Sequence, residues 1–186
     1  QFAARQLEEA DYAVANLETT LAGGPNYTGY PTFNSPDALA FNVKEAGFDL
    51  LSTANNHSRD KGMDAIYRTL DVLDEAGLDH VGTYRSQEER VANSGIHVAD
   101  VGGISVAFLS YTYGLNGFRL DSDKMYAVNL FNLDYYTTLA NPDYELLKAD
   151  LAAARALDTD LIAVMVHWGV EYRNTPNSYQ TDLAQF

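Results

Sequence analysis

The sequence predicts an α/β fold whose strands end in clusters of histidine, asparagine and carboxylate. Short apolar runs of strand length alternate with longer stretches in which apolar residues return every three or four positions. Glycine and proline punctuate the joins. Three of the apolar runs stop and are followed at once by groups able to bind a metal ion or move a proton.

A chain of 186 residues is expected to form one domain, residues 1–186, with room for a sizeable core. Its 46% hydrophobic and 12% aromatic content argues against a disordered chain. With 26 acidic against 12 basic residues and a net charge of −14, it lacks the Lys and Arg excess that neutralises phosphates, so no nucleic-acid partner is expected. The same balance disfavours docking on anionic lipid. Cysteine is absent, which excludes disulfides and thiolate metal sites and leaves N and O ligands for any ion. No apolar stretch approaches the ~18 residues of a membrane span, and no signal peptide is visible.

Residues 2–10 read as helix and 12–17 as a short buried strand that stops at Glu18. A loop rich in Gly, Pro and Asn covers 23–34. Ser35-Pro36-Asp37 then supplies a capping serine, a proline at the first helical position and an acid in the first turn, and Gly47 closes that helix. Residues 48–54 form the next strand, with Asn55-Asn56-His57 at its end. Met63, Ile66, Tyr67, Leu70 and Leu73 mark the buried face of a helix that begins between Lys61 and Asp64 and stops at Gly77. The span 48–81 therefore fits a β-α-β crossover. Residues 96–101 and 104–109 flank Gly102-Gly103 as a hairpin, which makes the sheet mixed. Segment 111–136 shows no clear period. Pro142-Asp143 starts a helix to about Leu157, and 160–166, the most apolar run, reads as a buried strand ending on His167-Trp168-Gly169. Residues 179–186 again have helical character. Helical segments at both ends, with no strand outside them, lead us to expect neighbouring strands beyond the sequence.

The clusters at the strand ends are Asn16 with Glu18, Asn55-Asn56-His57 with Asp60, and His167 with Glu171. In open α/β sheets ligands bind beyond the carboxyl ends of the strands, so these three can converge on one crevice. Imidazole nitrogen with carboxylate and amide oxygen suits Zn, Mn or Fe. A structural reading competes at each position: Glu18 as a solvated residue, Asn55 and Asn56 as turn formers, His57 as a helix cap, His167 as a satisfied core histidine. Because His57 follows its strand, truncating it is expected to leave core packing untouched. His80 and His97 lie away from such clusters and read as structural. Gly23-Gly24 and Gly102-Gly103 match no phosphate-loop pattern. Tyr111, Tyr113, Tyr126, Tyr135 and Tyr136 could line a groove for an extended polymer or simply pack. Arg119 and Arg173 are candidate anion contacts.

The strings Ala15-Asn16-Leu17-Glu18, Thr53-Ala54-Asn55-Asn56-His57-Ser58-Arg59-Asp60-Lys61-Gly62 and His167-Trp168-Gly169-Val170-Glu171-Tyr172 resemble the bacterial capsule synthesis family called CapA or PGA_cap, linked to poly-γ-glutamate capsules. Pro31-Thr32-Phe33-Asn34 and Leu109-Ser110-Tyr111-Thr112 are similar to it as well, and the resemblance runs over nearly all of the chain. That family is similar to calcineurin-like metallophosphoesterases. The resemblance therefore implies mixed β-sheets packed as a sandwich flanked by helices. It also implies a partial domain, incomplete at both ends, since a Gly-Asp strand motif and a Gly-x-His-Pro-His motif would fall outside residues 1–186. By the same resemblance Asn56 and His167 would ligate a divalent ion (Mn, Zn or Fe), Glu18 would replace the usual bridging aspartate, and His57 would be the catalytic histidine. Asn16, Asn55, Asp60, Trp168, Glu171 and Arg173 are the neighbours expected to steady these groups or touch substrate.

Two functions follow as expectations. One is a metal-dependent hydrolase acting on a phosphoester or on an amide bond of anionic polyglutamate. The other is a non-catalytic module that assembles, binds or escorts the anionic polymer, with a membrane-bound capsule-synthesis complex as partner. No ATP motif is present, so the ligation that builds the polymer falls to another protein. The family is exported or surface-anchored, which implies an extracellular or cell-surface location with a membrane anchor in the full-length protein.

Overall fold

Two three-stranded sheets lie at the centre of the computed structural model, which describes residues 4–186. In chain order the elements are α1 (Ala4–Glu8), β1 (Val14–Asn16), α2 (Ala38–Glu45), β2 (Leu50–Ser52), α3 (Met63–Glu75), β3 (Asp79–Val81) and α4 (Gln87–Ala92). The hairpin β4 (His97–Val101) and β5 (Ile104–Thr112) follows, then a 3-10 turn (Ser122–Ala127), α5 (Tyr144–Ala156), β6 (Leu161–His167) and α6 (Ser178–Gln185). Residues 2 and 3 of the expected first helix lie outside the described residues.

The first sheet, β1-β2-β3, is wholly parallel, and β2-α3-β3 is the expected crossover unit. The second, β4-β5-β6, is mixed: β4 pairs antiparallel with β5, and β6 runs parallel to β5. Side chains alternate across each strand, and this sorts the core into layers. Leu50 of β2 joins Val81, Val106 and Phe108 in a cluster between the sheets, whereas Leu51 faces Leu17, Leu21, Val72 and Leu73 beneath α2 and α3. On β5, Val106 and Phe108 point inward, while Ala107, Leu109 and Tyr111 pack with Phe131 and with Leu147 and Ala154 of α5. Ser52 and Ser110 join the two sheets through a buried hydroxyl pair at 2.7 Å. Helices thus cover the outer faces of two packed sheets, and no helix among the described residues is long and apolar enough to cross a membrane.

Two expectations are corrected, and one element was not expected. Ser35 does not cap α2; its hydroxyl meets Thr19 at 3.0 Å, the helix begins at Ala38, and the Asp37 carboxylate is held by Arg68 through two 2.7 Å bonds. Apolarity alone misjudged residues 160–166. β6 is an edge strand, with Leu161 56% and Val164 43% exposed, and no described strand pairs with its free side. Helix α4 has no counterpart in the sequence reading; Ser86 caps it by accepting from the Glu89 amide.

Candidate functional site

The carboxyl ends of β1 and β2 lie side by side in one parallel sheet, and contacts of His167 with Asn56 and Glu18 bring the end of β6, from the other sheet, to the same rim. The turn after β2 is built by its own polar side chains. Asn55 is fully buried: its Nδ2 donates to Leu17 O (2.7 Å) and Asn16 Oδ1 (3.1 Å), and its Oδ1 accepts from the His57 amide (3.1 Å). Ser58 Oγ lies 2.7 Å from the Thr53 and Asn55 carbonyls. Asn55 is therefore a brace that ties the end of β1 to the turn. Gly82 lets this region close, since a Cβ there would stand 2.6 Å from Ala54 Cβ.

His57 and His167 reach the same rim from different sheets. His167 Nε2 lies 2.8 Å from Asn56 Oδ1 and 3.7 Å from Glu18 Oε1, and Asn16 Nδ2 donates to Glu18 Oε2 at 3.2 Å. His57 Nδ1 meets Asp60 Oδ2 at 2.7 Å, and that oxygen also accepts from the Phe33 amide at 2.7 Å. The Phe33 ring packs edge-on against His57 with centroids 4.4 Å apart. The Asp60 carboxylate accepts a proton carried on Nδ1, which orients the ring with Nε2 turned outward. The remaining oxygen of Asp60, Oδ1, is buried without a partner.

His57 is only 8% exposed and serves a buried carboxylate. The expectation that it could be truncated without structural cost is thus corrected: a residue past a strand end can still be buried by a neighbouring loop. Burial also pushes the pKa of His167 below the ordinary imidazole value, partly countered by Glu18 and reinforced by His57. The neutral imidazole so favoured is the form that binds a metal ion. Tyr113 stacks on His167 with centroids 6.1 Å apart, and its hydroxyl pKa is raised by burial and by Glu171 and Glu18.

Trp168, Glu171 and Arg173 do not touch either histidine by a hydrogen bond. They line a cleft of about 830 Å³ that starts at Asn56 and runs past Tyr113 to Gln180 on α6. Trp168 also packs edge-on against Phe131 in the core. One residue absent from the sequence reading enters the site. Asn116, on the loop after β5, accepts from Asn56 Nδ2 at 3.0 Å and brings its own Nδ2 to 3.5 Å from His57 Nε2. The Asn116-Gly117 pair that follows a strand was the available signal.

Among the described residues no three His, Asp or Glu side chains gather closely enough to hold an ion by themselves. Glu18, Asn56 and His167 supply one carboxylate, one amide oxygen and one imidazole, a mixed N/O set that fits part of a coordination sphere for Mn, Zn or Fe.

The family model described as bacterial capsule synthesis protein PGA_cap matches residues 1–186. The capsule biosynthesis protein CapA of Bacillus anthracis is 31% identical over 186 aligned residues, covering 96% of this chain and 42% of its own length. The PGA biosynthesis protein CapA of Bacillus subtilis is 28% identical, covering 95% of this chain and 43% of its own length. An uncharacterised protein of Sinorhizobium fredii is 30% identical over 93 residues, 46% of the chain and 20% of its own length. The chain thus spans less than half the length of the curated relatives it matches.

Proposed function

The chain belongs to the PGA_cap bacterial capsule synthesis family, and from that premise we propose that it handles capsule polymer at the cell envelope through a metal-dependent hydrolytic site. The observation that carries the reading is the meeting of two separately held units at one rim: Glu18, His167 and Asn56 on one side, His57 backed by Asp60 on the other. Glu18, Asn56 and His167 would hold the divalent ion. A bound ion of this kind lowers the pKa of water and polarises the bond under attack. Asp60 holds the His57 ring so that Nε2 faces outward, where it can carry a proton to a leaving oxygen or nitrogen. This division of labour is that of the calcineurin-like metallophosphoesterases.

The substrate we propose is an anionic polymer, poly-γ-glutamate, or a phosphoester. The chain is strongly acidic overall, yet among the described residues Arg59 and Lys61 on the His57 turn, Arg119 beyond Asn116 and Arg173 in the cleft have no carboxylate partner within 4.0 Å. Arg59 and Arg119 are instead laid over Phe118 and Tyr136, at 5.8 and 4.1 Å from the ring centroids. Cations with no carboxylate partner can meet an anionic ligand at low desolvation cost.

The test uses the full-length protein with Mn²⁺ and Zn²⁺. His167→Ala is expected to lose the ion first and turnover of phosphoester or polyglutamate as a consequence. Wild type that binds no divalent ion, or an unchanged rate in the variant, would overturn the hydrolase. Polymer binding that persists without turnover would then assign the cleft to a non-catalytic escort.

A further inference from the structure

Asn116 sits where local geometry alone would explain an asparagine. The Phe118 amide donates to Leu115 O at 2.9 Å, and the two residues between them have positive φ, 50° at Asn116 and 82° at Gly117. This is the backbone of a type I′ turn, for which Asn-Gly is the preferred pair. The turn is anchored on both sides. Leu115 is fully buried, a Cβ on Gly114 would stand 2.6 Å from Tyr135 O, and the Leu120 amide donates to the Tyr135 hydroxyl at 2.9 Å. The backbone therefore accounts for the residue type but not for where the side chain goes.

The Asn116 side chain reaches across to both halves of the site. Its Oδ1 accepts from Asn56 Nδ2 at 3.0 Å, and its Nδ2 lies 3.5 Å from His57 Nε2. A carboxamide can present either end by rotating half a turn, and only the oxygen end binds a cation. An acceptor placed on Asn56 Nδ2 selects one end, and the Asn116 amide is itself oriented by its Nδ2 facing His57 Nε2. It holds Asn56 Oδ1 on the side of His167, which lies 2.8 Å away.

We infer that Asn116 is a positioning residue that locks the Asn56 amide with its oxygen toward the ion. Nothing in its own local sequence requires this. The inference rests on the reading of Asn56 as a metal ligand, and its test separates the two. In the full-length protein Asn116→Gly deletes the side chain while glycine keeps the positive φ. The unfolding midpoint should hold, and Mn²⁺ and Zn²⁺ affinity, read by calorimetry, should fall about 10- to 100-fold, the usual cost of losing a group that orients a ligand. Asn116→Asp retains the acceptor for Asn56 and should recover most of that loss. Asn177→Asp, which adds a charge in the same cleft without touching Asn56, reports what charge alone contributes. Wild-type affinity in Asn116→Gly overturns the inference, as does a recovery by Asn116→Asp no larger than the gain in Asn177→Asp. If wild type itself binds neither ion, the metal-site reading fails and takes the inference with it. That result is distinct from either of the others.

Discussion

Asp60 and Asp150 are both buried carboxylates, yet they belong to regions of opposite character. Asp150 Oδ2 takes the Arg90 guanidinium at 2.7 Å and the Tyr111 hydroxyl at 2.8 Å. Arg90 lies over the Tyr84 ring, and the Tyr84 hydroxyl donates to Gly95 O and accepts from Asn129 Nδ2. Burial and Asp150 push the Tyr111 hydroxyl pKa up, which keeps it a donor. This network closes on itself and joins α4, β5 and α5. Asp60 instead passes its hold to His57, whose second nitrogen faces the exposed tip of the Asn116 turn, and one of its own oxygens stays without a partner. A polar cluster that ends inside the fold is cement; one that ends on a nitrogen at the rim of a cleft, met there by a long 3.5 Å contact, can act on something else.

The largest effect expected from this contrast is on turnover. In the full-length protein His57→Asn should lower the rate by roughly 10²–10⁴-fold, the scale of a lost acid–base group. The asparagine amide can still donate to Asp60, so unfolding should change little. Rates on phosphoester and polyglutamate, measured beside thermal unfolding, check both halves. A wild-type rate would move His57 into the structural class with Asp150. His57→Ala is the contrasting variant, expected to cost about 1.5–3 kcal/mol because it removes a hydrogen bond to a buried carboxylate that keeps only the Phe33 amide on that oxygen.

Asp150→Ala tests the closed network. It leaves the Arg90 guanidinium buried and unpaired, so denaturant unfolding should show a loss of about 3–5 kcal/mol with Mn²⁺ affinity unchanged. A loss within about 0.5 kcal/mol, the ordinary range for a surface substitution, would mean that the network is open after all.

A smaller effect is expected at the seam between the sheets. Ser52→Ala removes the hydroxyl pair with Ser110 and should cost about 1–3 kcal/mol, since the remaining hydroxyl is fully buried. Denaturant midpoints would read it. No change would mean that the Ser110 hydroxyl finds another partner.

The smallest effect is a pH slope. His97 and His167 are both held below the ordinary value of 6.5, chiefly by burial. As pH drops just under that value, the unfolded chain binds protons that the folded chain does not. Stability is therefore complete above it and declines below it, by at most one proton per histidine. His97→Gln should flatten part of the slope measured by unfolding between about pH 7 and 5.

The sequence by itself determined the alternation of elements. The apolar period of α3, the Gly102-Gly103 hairpin and the strand before Asn55 all reflect local rules that the chain obeys wherever it folds. It also showed the clusters Asn16 with Glu18, Asn55-Asn56-His57 with Asp60 and His167 with Glu171, because a polar cluster just past an apolar run is visible in one dimension; singling out Glu18, Asn56, His57 and His167 within them rested on the family resemblance. Pairing was not legible there. Leu161 and Val164 are as apolar as core residues, yet on β6, an outer strand among the described residues, they stand exposed. Nor could a one-dimensional reading separate Asn55, which braces β1 to the turn, from Asn56, which faces His167, since adjacent residues in a turn differ only in where the turn aims them. Asn116 was hidden for the same reason: 60 residues separate it from Asn56, and only the packing of two sheets brings their amides within a hydrogen bond.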